Sequence, residues 1–184
     1  SAPLKVFERL SSMEHEAAMP NKRFEVIVCG QNRIGYSIIK KLTNMKKPVL
    51  VVDFNPEIVT QLKRQGVDAL YGDIGDPGLL EKLPLKHAGL VIATVPELAD
   101  NMLLINKLKQ VNKKAVIFVT ANQIESALEL YKAGADYVIL PHFLGGEHVS
   151  QMVEHLQPGS VLKNKLEHIK ELTFRKELGH EHPA

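Results

Sequence analysis

Short apolar runs recur along the chain, separated by stretches in which apolar residues fall every three or four positions. Val26, Ile27 and Val28 stand in unbroken succession, so residues 24–29 read as a strand covered on both faces. Similar runs occupy 49–53, 67–71, 89–94, 115–120 and 136–140. The intervening periodicity predicts helices over about 33–44, from Asn55-Pro56 onward, around 79–82, from Pro96 to about 111, over 123–133, and from Pro141 to about 156. Asn55 followed by Pro56 gives an N-cap and a first helical position.

Six short strands alternating with helices predict an α/β fold. It is a Rossmann-like, doubly wound, six-stranded parallel sheet in the order 3-2-1-4-5-6, with helices on both faces. Helical appendages are expected at both ends. Leu4, Phe7, Leu10, Met13 and Ala17 mark one face of a helix over 2–19, closed by Pro20 and Asn21. Pro158-Gly159 marks a boundary, after which Leu162, Leu166, Ile169 and Leu172 predict an amphipathic tail helix ahead of a polar end.

The composition, 45% hydrophobic and 24% charged, suits a globular chain and excludes a disordered one. A formal net charge of +2 gives no footprint for a nucleic acid. Lys40, Lys41, Lys46 and Lys47 do cluster where the first helix should end, but cations there complement the helix dipole. No apolar stretch approaches the roughly 20 residues that span a bilayer. Cys29 is the only cysteine, which rules out an internal disulfide and suits a reducing compartment.

Candidate chemistry gathers where strands end. The first strand-turn-helix carries Gly30-Gln31-Asn32-Arg33-Ile34-Gly35. In the dinucleotide fingerprint GxGxxG, the first glycine makes the turn, the second lets a pyrophosphate approach bare backbone, and the third lets the helix pack closely. Here Gly30 and Gly35 hold the outer positions, and Asn32 replaces the middle glycine. A helix start offers N–H donors and a positive dipole end to phosphate, and Arg33 adds a fixed cation. Asp53 ends the second strand, where a carboxylate accepts hydrogen bonds from ribose hydroxyls and repels the 2′-phosphate of NADP. A solvated strand end is the plainer role for it. Asp73 follows the third strand, either beside an adenine ring or simply as a turn aspartate. Thr94 and Val95 follow the fourth strand at the switch point of the winding, and Thr120 ends the fifth, with helix capping as its plainer role.

Together VIVCGQNRIG, VLVVDFNPE, LYGDIGDPGLL, ATVPELADN and AGADYVILPHFLGGE resemble the RCK, or TrkA N-terminal, family over roughly residues 23–156. The versions on potassium-efflux and cation:proton antiport proteins are the most similar. The resemblance implies a linker helix over 1–22, a nucleotide-binding domain over 23–157 and a helical tail over 158–184. It further implies a cytoplasmic regulatory domain at the membrane's inner face, a homodimer, and a membrane-embedded cation transporter as partner, fused or separate. The implied ligand is AMP or another adenine nucleotide, with NAD or NADH as the alternative. Its site would comprise Gly30, Asn32, Arg33, Ile34 and Gly35 for phosphate and Asp53 with Phe54 for ribose. Asp73 with Ile74 would lie by adenine, and Thr94 with Val95 at the rim. Tyr137, Pro141, His142 and Phe143 are implied as dimer contacts.

Three other functions compete. A dimerisation module with a vestigial nucleotide site is consistent with Asn32. An NAD-dependent oxidoreductase would use the Tyr36-x-x-x-Lys40 spacing, but that pair falls on the helix after the glycine loop, far from where hydride chemistry needs it. A metal sensor would draw on His142, His148, His180 and His182, whose spacings lack the pattern of a structural zinc site.

Overall fold

The computed structural model describes residues 22–155 and 160–177. The helix expected over 2–19, the Pro158-Gly159 boundary and the polar end from 179 lie outside the described residues. Six strands follow one another as β1 Val26–Cys29, β2 Val49–Asp53, β3 Asp68–Tyr71, β4 Leu90–Ala93, β5 Val116–Thr120 and β6 Tyr137–Ile139. The helices between and after them are α1 Arg33–Asn44, α2 Pro56–Arg64, α3 Pro77–Lys82, α4 Leu98–Val111, α5 Ile124–Ala133, α6 Pro141–Glu154 and α7 Ser160–Glu177, with a 3₁₀ turn at Leu85–His87.

The sheet is parallel throughout, and its order is β3-β2-β1-β4-β5-β6, as the alternation predicts. Val26 pairs with Val49 on one side and Leu90 on the other, and Leu90 pairs with Val116, so four strands begin in one row. Every residue of β1 and β2 is buried, which explains why these strands are unbroken apolar runs rather than alternating ones. Right-handed crossovers leave β1 toward β2 and β4 toward β5 in opposite directions, so their helices cover opposite faces. On one face Val26, Val28, Val49, Val51 and Ala69 meet Ile39 of α1 with Val59 and Leu62 of α2. Leu104, Ile105 and Leu108 of α4 and Leu130 of α5 are fully buried as well.

Helix starts depart from expectation by one or two residues, for local reasons. α3 begins at Pro77, because Asp76 caps it by accepting from Gly78 N–H. That Asp-Pro pair repeats the Asn55-Pro56 device at α2. α4 begins at Leu98, two residues after Pro96, because Glu97 holds extended angles as its N-cap.

The chain divides into two compact units at 139/140. In the second unit no residue of α6 is buried, and Phe143, Val149 and Val153 are exposed. On α7, Leu166, Ile169 and Leu172 are likewise exposed, while the Leu162 side chain is outside the description.

Asn112 pins the turn between α4 and β5. Its Nδ2 donates to Leu85 O at 3.0 Å and Ala88 O at 2.8 Å, and its Oδ1 accepts from the N–H groups of Lys114 and Ala115. Asn112→Ala strips partners from backbone groups at both turns and should cost about 1–3 kcal/mol. Urea unfolding should show a lower midpoint with an unchanged slope.

Candidate nucleotide-binding crevice

The loops leaving β1 to β4 converge at the carboxyl edge of the sheet. Ladder bonding runs one residue past the strands: Gly30 N–H donates to Val52 O at 2.8 Å, Gly72 N–H to Asp53 O at 3.0 Å, and Thr94 N–H to Cys29 O at 2.9 Å. A crevice of about 20 Å³ opens among these ends, and Gly30, Asp53, Phe54, Asp73, Ile74 and Val95 line it. All six are residues that the sequence singles out. Asn32, Arg33, Ile34 and Gly35 form the adjoining start of α1, and Thr94 is buried behind the loop. A wider depression of about 1100 Å³ lies among β3, α3 and α4 and shares only Gly72 and Asp73 with the crevice. The convergence of strand ends and a helix N-terminus belongs to the smaller one, which is the better candidate.

Both outer glycines are required by space. Gly30 has φ +94°, and a Cβ there would lie 2.6 Å from Thr94 Oγ1. At Gly35 a Cβ would fall 2.0 Å from the Gly30 carbonyl oxygen, so α1 rests directly on the loop. Thr94 Oγ1 donates its single proton toward Gly30 O at 2.9 Å and Cys29 O at 3.2 Å, holding the loop from β4.

Asn32 is the N-cap of α1. Its backbone is extended (φ −71°, ψ −169°), so the left-handed conformation that asparagine tolerates is not what selects it. Its Oδ1 accepts from Ile34 N–H and Gly35 N–H, each at 3.1 Å, and its Nδ2 donates to Thr94 O at 2.6 Å. The side chain thus occupies two helix-start donors that a phosphate would otherwise meet.

Asp53 is 5% exposed, which excludes the solvated strand-end role. Its Oδ2 accepts from Gln31 N–H at 2.6 Å and its Oδ1 from Asn55 N–H at 2.8 Å. Each carboxylate oxygen has a second lone pair, so ribose hydroxyls could still be accepted. Asp73 accepts from Gly75 N–H at 2.9 Å, the Asx turn of its plainer role, while also lining the crevice. The Asp100 carboxyl is held above its ordinary pKa, first by burial and then by the charges of Asp73 and Glu97. At that end of the crevice the carboxylate of Asp73 suits a base with amino donors better than a further phosphate. Thr120 caps no helix: its hydroxyl donates to Ala93 O at 2.9 Å, joining β5 to β4.

Two residues of this edge escape sequence reasoning. Gln31 is 7% exposed, and its Oε1 has no partner among the described residues. The fingerprint leaves that position free, so nothing in the sequence marks it. Asn101 is fully buried and ties the two switch-point loops together, its Nδ2 donating to Val95 O at 2.9 Å and Thr120 O at 3.0 Å. A signal for it did exist, since positions 101, 104, 105 and 108 form one apolar helical stripe and only an asparagine with a structural duty belongs there.

Tyr36 and Lys40 lie one turn apart on α1, with Lys40 Nζ 5.8 Å from the Tyr36 ring centroid. Among the described residues no group of His, Cys, Asp and Glu is arranged to hold a metal ion.

The TrkA-N domain model matches residues 26–141, from the first residue of β1 to the first of α6. The chain belongs to the TrkA-N domain family. Probable potassium channel protein 2 of Methanocaldococcus jannaschii is 26% identical over 156 residues, covering 83% of this chain and 44% of that protein. The chain thus spans less than half of that relative's length. Among solved structures, the Kef CTD of Shewanella denitrificans in its AMP-bound form superposes with TM-score 0.60 at 17% identity, covering 85% of this chain and 95% of that one. The GsuK channel bound to NAD gives TM-score 0.58 at 24% identity over 66% of this chain and 22% of that one. At these identities the two structures show that the TrkA-N fold is shared. No helix among the described residues is long and apolar enough to cross a membrane.

Two outcomes follow from the geometry of this TrkA-N domain. Gly35→Ala forces a methyl into the Gly30 carbonyl and should destabilise by about 1–3 kcal/mol, read as a lowered denaturation midpoint. Cys29 is fully buried, and burial, with the charge of Asp53 second, pushes its thiol from 9.0 up to about 12. Between those values the unfolded chain ionises the thiol and the folded chain does not, so this group's contribution to stability is lost as pH rises across that window. Cys29→Ala should flatten that decline, and Ellman's reagent should label the native chain only as fast as it unfolds.

Proposed function

We infer that this TrkA-N domain is the cytosolic sensor of a potassium-efflux or cation:proton antiport system, and that it binds an adenine nucleotide to gate transport. The observation that carries this is the convergence of Gly30, Asp53, Phe54, Asp73, Ile74 and Val95 on one crevice beside the start of α1. Such a crevice, at the carboxyl edge where the winding reverses, is where this architecture binds nucleotides. An AMP-bound Kef CTD and an NAD-bound GsuK channel of the same fold support an adenine ligand.

Asn32 favours a mononucleotide over NAD. A dinucleotide must lay its pyrophosphate across the middle of the glycine loop, where the Asn32 side chain already holds the Ile34 and Gly35 N–H groups. AMP needs only the ribose carboxylate, the base end and one phosphate near Arg33. In this reading residues 23–157 are the sensor, 1–22 the linker to a membrane-embedded transporter, and 158–184 a tail. Exposed Phe143, Val149 and Val153 on α6 support a homodimer as the working unit. Nucleotide bound between the loop and Asp53 would favour one arrangement of that dimer, shifting a pre-existing equilibrium. In this reading the role is regulatory rather than catalytic, since the one dehydrogenase-like spacing, Tyr36 to Lys40, lies along α1 and neither residue lines the crevice. The capping by Asn32 also favours a second reading, in which the fold dimerises around a site that no longer binds.

Thermal-shift measurements with AMP, ADP, ATP, NAD, NADH and NADP separate these readings. A ligand at about 100 times its Kd stabilises by roughly 2.7 kcal/mol, and AMP is expected to give the largest shift and NADP none. Val95→Trp, which fills the crevice, should abolish the shift while the unliganded domain still melts cooperatively. A larger response to NAD would reverse the ranking, and no response to any nucleotide would leave the dimerisation module.

A further inference from the structure

The net charge of +2 conceals a strong separation of charge between the two edges of the sheet. Asp53, Asp73, Asp76, Glu97 and Asp100 all follow the carboxyl ends of strands. The segments that lead into strands, first strand residues included, carry a few acids, Glu25, Asp68 and Asp136, and a larger number of cations. Val26, Val49, Leu90 and Val116 lie in one row. Just before that row come Arg23 ahead of β1, Lys46 ahead of β2, Lys86 ahead of β4, and Lys113 with Lys114 ahead of β5. Register therefore brings cations from four separate loops to one amino-terminal face.

Helix dipoles account for these cations only in part: Lys46 and Lys113 each follow a helix C-cap and Lys86 sits in the 3₁₀ turn, whereas Arg23 ends no described helix. Lys41, Lys63, Arg64, Lys82, Lys109 and Lys132 occupy last turns of helices, where a cation offsets the dipole. Arg23, Lys46, Lys86, Lys113 and Lys114 all have exposed side chains. Asp68 and Glu25 are held by Lys22 and Lys47, each at 2.6 Å, and Asp136 by Lys109 at 3.5 Å, so these three acids are already matched. Lys46 adds a second observation. Its φ is +55°, the only positive value at a non-glycine among the described residues, at a helix end where glycine fits most easily. The strained turn displays this lysine beside Met45, an apolar side chain 53% exposed. Cations around an exposed apolar side chain match the headgroup region of an anionic bilayer. Phe24, the aromatic residue at this edge, is fully buried and offers no face for stacking bases, so a nucleic acid fits less well.

We propose that the amino-terminal face of the sheet, centred on Arg23, Lys46, Lys86, Lys113 and Lys114, docks on an anionic phospholipid surface. The nucleotide crevice, at the opposite edge, then faces away from the bilayer. This docking is independent of whether the crevice binds a nucleotide.

The test is co-sedimentation of the full chain with vesicles of phosphatidylcholine alone or of phosphatidylcholine with phosphatidylserine. Binding should require phosphatidylserine and vanish near 1 M salt, where the screening length falls to roughly 3 Å. Each cation at such a surface strengthens binding roughly five-fold, so neutralising Lys46, Lys86, Lys113 and Lys114 together to Gln should weaken it by at least about a hundredfold. Lys46→Gly provides a variant in which stability and binding move oppositely: it relieves the backbone and should raise Tm, yet bind phosphatidylserine vesicles about five-fold more weakly. Equal binding to both vesicle types, or none to either at low salt, would overturn the proposal. So would binding retained by the four-site variant but lost in Lys165→Gln/Lys170→Gln, which would move the contact to α7. Binding to duplex DNA at a salt concentration that releases the vesicles would assign the face to nucleic acid and equally overturn it.

Discussion

The buried carboxylate of Asp53 is the point on which the crevice depends. One oxygen takes the Gln31 N–H from the glycine loop and the other takes the Asn55 N–H from the turn into α2. Charge-assisted bonds to backbone are short and strong, and here they fix the mouth of β1 against the mouth of β2. Gly30 is thereby held where its carbonyl receives the Thr94 hydroxyl and, from the other side, the close approach of Gly35. Any ribose hydroxyl bound by Asp53 would meet an acceptor whose position is already set, so little ordering remains at that atom.

Asn32 gives this loop its individual character. With glycine in the middle position, the start of α1 would present bare N–H groups; with asparagine, the helix is capped before a ligand arrives. Capping satisfies donors that are otherwise orphaned and stabilises the helix by roughly 1 kcal/mol. The same bonds make a phosphate compete with the protein's own amide. Stability of the empty domain and affinity for a long ligand are set against each other in one side chain, and the Asn32–Thr94 bond extends that balance to β4.

The fold was largely legible in the sequence, because both-face burial leaves runs such as Val26-Ile27-Val28 that a helix or a half-exposed strand would not carry. Strand order followed from the handedness of crossovers, and the crevice residues from their positions at strand ends or within three residues past them. Geometry that depends on partners distant in sequence was not legible. Asp53 reads as a ribose carboxylate or a solvated strand end, and only Gln31, 22 residues earlier, shows that it also ties the glycine loop. Thr120 reads as a cap until its hydroxyl is found on Ala93. The capping by Asn32 is local chemistry that asparagine favours, but its Nδ2 bond to Thr94 O, 62 residues on, could not be read from the sequence.

The Thr94–Gly30 and Asn32–Thr94 bonds join residues 64 and 62 positions apart. Contacts of such separation close late, since the loop entropy between them must be overcome first. During synthesis from the amino terminus, β1, α1 and β2 emerge before β4 exists, and the glycine loop has only its ties to Val52 and Asp53 of β2. A chain cut anywhere before Thr94 would hold the whole fingerprint and still lack the strand that fastens its other side. The motif becomes a site only when its distant strand arrives.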